Sequence, residues 1–462
     1  MQFYLRDIKF LLVIYQKGPQ MKHIFAILLT GFLFTSSAQE KIPKGKITTE
    51  FCKFQFAVYL LKPFGDIENK TKNLIKTKYK DLVYSSSPVN NKIAVSLFLE
   101  TEALKNYAPQ DLDSLKYFGR GLTREQAVEL QKSNTVLQLN FKAPTELSSQ
   151  ANLRASQLLH ELTDLTKGIA WDEATRMSFS AQKFKEWRID SYLDGKLDIK
   201  SHISIHSYKD GDFIRSITLG MEKFGLPDIE ISDFNWSVNK NIGNLINLTA
   251  QLLYEKGNIV KDGELTINVK DLKTVPLKKF YLSTLKENAK ESVSINLIKG
   301  KNEQGDPNNR IIELSFTKFE GASKQQRIET MLDNLWGFED NVAYIKHNEM
   351  ILAASKKAKA KLPELRKMFL KGLAPGEFIM VKAPFKTPDD GTEWMWVEVI
   401  KWKDLKKIQG ILKNQPYHIP TLKAGADVSV DTAEIFDYIY RKADGTSEGN
   451  ETGKLIEKFQ SR

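Results

Sequence analysis

The residues best placed to do chemistry form a cluster of tryptophans near the C-terminus. Glu393 to Trp402 (EWMWVEVIKW) has the aromatic and β-branched content of a strand. Period-two alternation puts Trp394, Trp396 and Trp402 on one face and Met395, Val397 and Val399 on the other. Such a row of indoles could serve as a platform for a peptide, a glycan or another flat ligand. A strand buried on both faces makes the same rings core packing instead, and that is the expectation for at least two of the three. His202 and His206 have the i, i+4 spacing of a helical metal pair, but Ile203 and Ile205 make the segment alternate as a strand. Strand geometry separates the two imidazoles by about 13 Å along one solvated face, with no third ligand nearby. Asp172, Glu173 and Arg176, close to Trp171, read as a surface ion-pair cluster. Asp389-Asp390-Gly391 and Asp210-Gly211-Asp212 read as turns, because neither continues into the ligand ladder and closing glutamate of a calcium loop. The single cysteine excludes an intramolecular disulfide, a cysteine-built zinc site and a CxxC redox pair, and the six histidines are scattered. Nucleophile-elbow, phosphate-loop and dinucleotide motifs are absent from the sequence. The expectation is no catalytic set, no metal site and no cofactor.

These residues need elements to position them. Phe54–Leu61, Lys92–Leu99 and Val136–Phe141 read as strands, with a lysine-rich helix at Ile67–Tyr79 giving a strand–helix–strand start. Pro109–Gln131 reads as helical, with a capping box at Thr123–Gln126. Ser148 or Ser149 is expected to cap a helix with its apolar stripe at Ala151, Ala155, Leu158, Leu159, Leu162 and Leu165, which Gly168 ends. Lys209-Asp210-Gly211-Asp212 is the strongest hairpin signal. A helix over Ile242–Tyr254 and a strand at Glu264–Val269 repeat the strand–helix–strand order of residues 136–179, though without residue-level similarity. Strands at Ser292–Ile298 and Arg310–Phe316 lead to Gly321-Ala322-Ser323, which has linker composition. Beyond it, Asn348–Leu362 reads as a helix with apolar positions Ile351, Ala354, Ala358 and Leu362 and a lysine ridge at Lys356, Lys357, Lys359 and Lys361. Pro363 is expected to start a second short helix. Strands follow at Glu377–Phe385, Glu393–Trp402, Lys407–Asn414 and Asp427–Val430, with Thr432–Arg441 a strand or helix.

Length and composition agree with a globular chain of two or three domains: 462 residues, 41% hydrophobic and 27% charged. Met21-Lys22-His23 precedes the uncharged run Ile24–Phe34, and Thr35-Ser36-Ser37-Ala38 follows. That order is a secretory signal peptide cleaved after Ala38, leaving Gln39 first. Met21 then reads as the true start. Cys52 lacks a lipobox and reads as a buried thiol. Removing residues 1–38 takes away four basic side chains and one acid, lowering the net charge from +11 to +8. That is too little for a nucleic-acid footprint. The expected localisation is exported, periplasmic or secreted, with no transmembrane anchor in the mature chain.

From Met350 onward an ordered series of motifs appears. It comprises Met350 and Ala353, Leu362-Pro363, Val381-Lys382-Ala383-Pro384-Phe385, Gly391-Thr392-Glu393 and Met395-Trp396-Val397. Gly410 to Pro416, Gly425-Ala426-Asp427-Val428 and Asp437-Tyr438-Ile439-Tyr440 complete it. The series, over residues 347–459, resembles the bacterial domain-of-unknown-function family 2314, also called YegJ-like. Trp394 stands where the resemblance leads one to expect a histidine, which argues against a histidine-based role there. The resemblance carries no established activity. Within its motifs, Lys382 and Asn414 join Trp394, Trp396 and Trp402 as candidate binding residues. The fold expected is α+β. Strand–helix–strand lobes fill residues 39–330, and a small antiparallel sheet or partly open barrel under covering helices fills 340–462. The expected function is an exported, non-catalytic binding or interaction protein whose partner is an unidentified protein or envelope ligand. An envelope hydrolase and a toxin-neutralising immunity-type protein are the alternatives.

Overall fold

The computed structural model describes residues 40–460 apart from 194, 212, 236–237, 287 and 338–348, with side chains to residue 455. The proposed signal segment therefore lies outside the described residues. Three mixed or antiparallel sheets, each with its own apolar cluster, give the expected α+β architecture.

The first lobe contains β1 (Phe51–Tyr59), β2 (Leu82–Tyr84), β3 (Ile93–Glu100), β4 (Gly119–Arg120), β5 (Val136–Pro144), β6 (Ile169–Asp172) and β7 (Met177–Phe179), in the order β2-β3-β5-β1-β6-β7-β4. Its longer helices are α1 (Ile67–Thr77), α2 (Leu112–Phe118), α3 (Arg124–Leu130), α4 (Ser148–Thr166) and α5 (Ala181–Arg188). β1 and β3 are both antiparallel to β5, which lies between them, so the strand–helix–strand start is a split unit. The stripe of α4 through Ala151, Ala155, Leu158 and Leu162 is buried among Phe54, Phe56, Phe141 and Phe184. Phe54 stacks on Phe141 at 5.2 Å and Phe184 meets Phe56 edge-on at 5.6 Å.

Three local expectations change in this lobe. The helical stretch at 109–131 divides into α2 and α3 around β4, although the Thr123–Gln126 capping box forms. No serine side chain caps α4, which is entered through a 3-10 turn at Thr145–Leu147. The left-handed residue after α4 is Lys167 rather than Gly168. Gly168 is needed for close approach instead, since a Cβ there would lie 2.5 Å from the Tyr59 carbonyl oxygen.

The second lobe contains β8 (Ser204–Asp210), β9 (Phe213–Leu219), β10 (Asp228–Phe234), β11 (Glu264–Asn268), β12 (Ser292–Lys299) and β13 (Ile311–Ser315), ordered β8-β9-β10-β13-β12-β11. Helices α6 (Asn239–Lys256), α7 (Val275–Ser283) and α8 (Lys324–Trp336) pack with it. The β8–β9 hairpin closes at Asp210 and Phe213, as its turn residues lead one to expect. The units β5–α4–β6 and β10–α6–β11 share their order but not their placement. One strand separates the connected pair in the first sheet and two separate it in the second. Ser323 caps α8, whose Ile328, Met331, Leu332 and Leu335 are buried in this lobe. The strap ahead of β1 also belongs here: Lys41 bridges to Ile298, and Gly45–Lys46 pair with Asn258–Ile259, before the chain crosses into β1.

The C-terminal domain is antiparallel throughout: β14 (Phe378–Lys386), β15 (Thr392–Lys401), β16 (Lys407–Leu412), β17 (Asp427–Asp431), β18 (Asp437–Arg441) and β19 (Ser447–Gly449), ordered β17-β16-β15-β14-β18-β19. The sheet is open. Helix α9 (Glu349–Lys371) covers one face through Ala358, Leu362 and Leu365, and α10 (Glu451–Gln460) packs against it. The two helices expected around Pro363 are one. Pro363 sits on the exposed side of α9, where the freed carbonyl one turn earlier can meet water. No helix among the described residues is long and apolar enough to cross a membrane.

Candidate ligand-binding site

The β14–β15 hairpin sets the geometry of the sheet face turned away from α9. Its register pairs Lys382 with Trp396 and Pro384 with Trp394. The alternate residues Met395, Val397 and Val399 are buried beneath α9. Both indoles are half-buried. The Lys382 ammonium lies 5.7 Å from the Trp396 ring centroid, within cation–π range. Trp394 packs on Phe436 at 4.6 Å. On the other side of β15, the Trp396 backbone N–H donates to Asn414 Oδ1 at 2.6 Å. Four of the five candidate residues therefore come together.

Trp402 does not join them. A bulge between Val399 and Lys401 breaks the alternation of β15, and the Trp402 ring turns into the core, 1% exposed and 6.4 Å from Phe369. Its Nε1 has no hydrogen-bond partner among the described residues. Counting alternate residues from Trp394 assumes an unbroken pleat, and nothing in the residue types announces the bulge.

Burial pushes the Lys382 ammonium below its ordinary range, with Asp437 opposing that shift. Asp437 is the cross-strand partner of Lys382 on β18, but its carboxylate is committed elsewhere. Oδ2 accepts from the Thr452 N–H at 2.9 Å and Oγ1 at 2.6 Å, and Oδ1 accepts from the Tyr438 N–H at 2.8 Å. Among the described residues, Lys382 has neither a hydrogen-bond acceptor nor an ion pair. The Asn414 amide nitrogen likewise has no acceptor there.

The same face meets the first lobe two residues further along. The Glu398 carboxylate, 7% exposed, lies 2.8 Å from Lys116 of α2 and 3.2 Å from Lys413. Burial alone would raise this carboxyl, yet Lys413 and Lys116 hold it below the usual range. The Gly376 N–H donates to the Lys116 carbonyl at 2.9 Å. A Cβ on Gly119 would lie 2.7 Å from the Pro375 Cβ, so the two surfaces are in close contact.

The other polar groups singled out in the sequence are structural. The surface cluster read at Asp172, Glu173 and Arg176 is not one. Asp172 is fully buried and pairs with Arg188 and Lys223. Glu173 accepts from Trp171 Nε1 at 2.6 Å and from the Tyr107 hydroxyl. Arg176 donates to the Gly305 carbonyl at 2.7 Å. The histidines expected on a solvated face are enclosed instead. His202 is buried beside Ser191, and His206 stacks on Phe118 at 4.4 Å. Burial drives the imidazole of His206 down to about 3. Both face the seam between the lobes, which strand alternation within one sheet cannot reveal. The Asp389-Asp390 turn is as expected, with Asp390 at φ 59°.

The lysine–tryptophan cross-strand pair, Asn414 and the Asp437-capped helix all fall within residues 348–460, which match the family described as "Uncharacterized protein conserved in bacteria (DUF2314)". The C-terminal sheet and its helices are similar to that family. The DUF2314 domain thus carries every candidate binding residue read from the sequence. Residues 217–295, from within β9 to within β12, match a second family, "Domain of unknown function (DUF4261)". No curated protein and no solved structure matches the chain.

Proposed function

We propose that the protein is an exported, non-catalytic binding protein and that its DUF2314 domain holds the ligand on the outer face of the C-terminal sheet. One observation carries this reading. Lys382 lies over the Trp396 ring, with Asn414 on the other flank and Trp394 two register pairs away on the same face. A charged group and an amide beside half-buried aromatic rings match the usual make-up of a recognition site, in which a few placed polar groups orient an apolar contact. Export is supported by the basic, apolar and small-residue order of residues 21–38.

The test is the indole N–H spectrum of the full chain, which has seven tryptophans, titrated with muropeptide and peptide fractions of the bacterial envelope. Shifts concentrated at Trp394 and Trp396 are the expected result. Shifts confined to Trp171 and Trp187 would place binding elsewhere and overturn the assignment. N-terminal sequencing of the exported protein should begin at Gln39, and a cytoplasmic chain retaining residues 1–38 would refute export.

A further inference from the structure

We infer that the outer face of the DUF2314 domain seats an oxyanion, a carboxylate or phosphate group of the ligand, at the Lys382 ammonium with the Asn414 amide as second donor. This rests on the reading of that face as the binding site and adds the chemistry the site selects. An ammonium has three N–H donors and no lone pair. That of Lys382 is half-buried, and no described residue supplies it an acceptor. The carboxylate of its cross-strand partner, Asp437, holds Thr452 at the start of α10 and contributes charge without a hydrogen bond. The Asn414 carbonyl oxygen is likewise occupied by the Trp396 N–H, which leaves its NH2 group to face a ligand. Both flanks of Trp396 therefore offer donors alone, so the ligand must bring the acceptors.

The positive charge then favours an ionised acceptor over a sugar hydroxyl or an amide, because charge-assisted hydrogen bonds are about twice as strong as neutral ones. Lys413 and Lys116, the ammonium groups further along this face, are already paired with Glu398. Beside the seat, Pro384, Trp394 and Phe436 form an apolar continuation. The ligand group is accordingly an oxyanion attached to a flat or apolar body. A lysine presents a point charge and lacks the planar fork of an arginine, so either anion geometry is accommodated.

The probes are N-acetylphenylalanine, its C-terminal amide and phenyl phosphate, titrated into the full chain while the Trp394 and Trp396 indole signals are followed. The acid or the phosphate should bind at least about ten-fold more tightly than the amide, about 1.4 kcal/mol. Whichever of the two binds better identifies the source of the oxyanion. Lys382→Met should erase that preference and Lys382→Arg should keep most of it. Asn414→Asp, which puts a negative charge at the second donor, should weaken the acid and the phosphate but spare the amide, and it serves if Lys382→Met fails to fold. Equal binding of acid, phosphate and amide would overturn the oxyanion seat while leaving the face a binding site. If none of the three moves either indole, the seat and the binding face fall together.

Discussion

The seam between the first two lobes contains a charge imbalance that can be tested directly. Asp172 Oδ2 accepts from Arg188 Nε at 2.9 Å, Arg188 Nη2 at 2.8 Å and Lys223 Nζ at 2.7 Å, and all three side chains are fully buried. Two positive charges thus share one negative charge out of contact with water. Asp172→Asn leaves both cations uncompensated and should cost about 3–5 kcal/mol, the range for breaking a buried pair. Lys223→Met leaves a one-to-one pair, and its cost can be worked out. Burial depresses the Lys223 ammonium from 10.5 to about 8 despite the attraction of Asp172. Keeping that proton at pH 7 forgoes about 3 kcal/mol. Losing the charged hydrogen bond costs about 1.5–3 kcal/mol, so the two effects nearly cancel. Lys223→Met should therefore lie within about 1 kcal/mol of the parent. The pH dependence has a definite sign. Between about pH 8 and 10.5 the folded chain has released this proton while the unfolded chain still holds it. Stability from this group must then rise with pH across that window, and the rise should vanish in Lys223→Met. Urea unfolding followed by circular dichroism from pH 7 to 10 measures both quantities. Equal losses from the two substitutions, or the same pH slope with and without Lys223, would refute the reasoning.

Glu398→Gln should weaken docking of the DUF2314 domain on the first lobe by about 2 kcal/mol, less than a fully enclosed pair because Lys116 and Lys413 reach solvent. Faster hydrogen exchange at the Gly376 N–H, with β1 amides unchanged, is the readout. Because the Glu398 carboxyl is held low, its contribution is complete above the ordinary glutamate range and disappears as the pH falls through the folded value. Trp402→Ala should cost about 3–5 kcal/mol, whereas Trp402→Phe should cost less than about 2 because it also removes an unpaired buried N–H; thermal melts separate the two. Gly410→Ala would put a Cβ 2.2 Å from the Glu398 carbonyl oxygen and should cost more than about 2 kcal/mol by urea unfolding.

Where local patterning decides the outcome, the sequence could be read. The stripe of α4, the one-sided apolar face of α9, the Asp210 hairpin and the Thr123 capping box depend on neighbours within one or two turns, and all of them form, except that the stripe stops short of Leu165, which is exposed at the end of α4. The Lys382–Trp396 pair follows from hairpin register, once the turn at 387–391 is fixed. The features that escaped depend on distant chain. The Trp402 side chain follows a bulge, His206 is covered by Phe118 from another lobe, and Asp172 finds Lys223 51 residues away. A charged residue next to others in sequence looks solvated until the partner that buries it is known. The motifs shared with DUF2314 lie on α9 and on the strands and turns of the one sheet it covers, which is why that region is recognisable from its own residues.

The strap formed by residues 41–46 has a consequence for the order of assembly. Its partners, Asn258–Ile259 and Ile298, emerge from the ribosome more than 200 residues after it. At about 5–20 residues per second, the strap waits on the order of 10–50 s before it can pair. The first lobe can collapse around α4 in that interval, because its strands and α5 are complete by residue 188 and Lys223, the last partner of Asp172, also precedes Asn258. During synthesis, therefore, the strap is among the last parts of the two lobes to find its place. A chain stalled or cleaved before Asn258 would display a folded first lobe trailing an unmatched N-terminal strand edge, an exposed template for another chain.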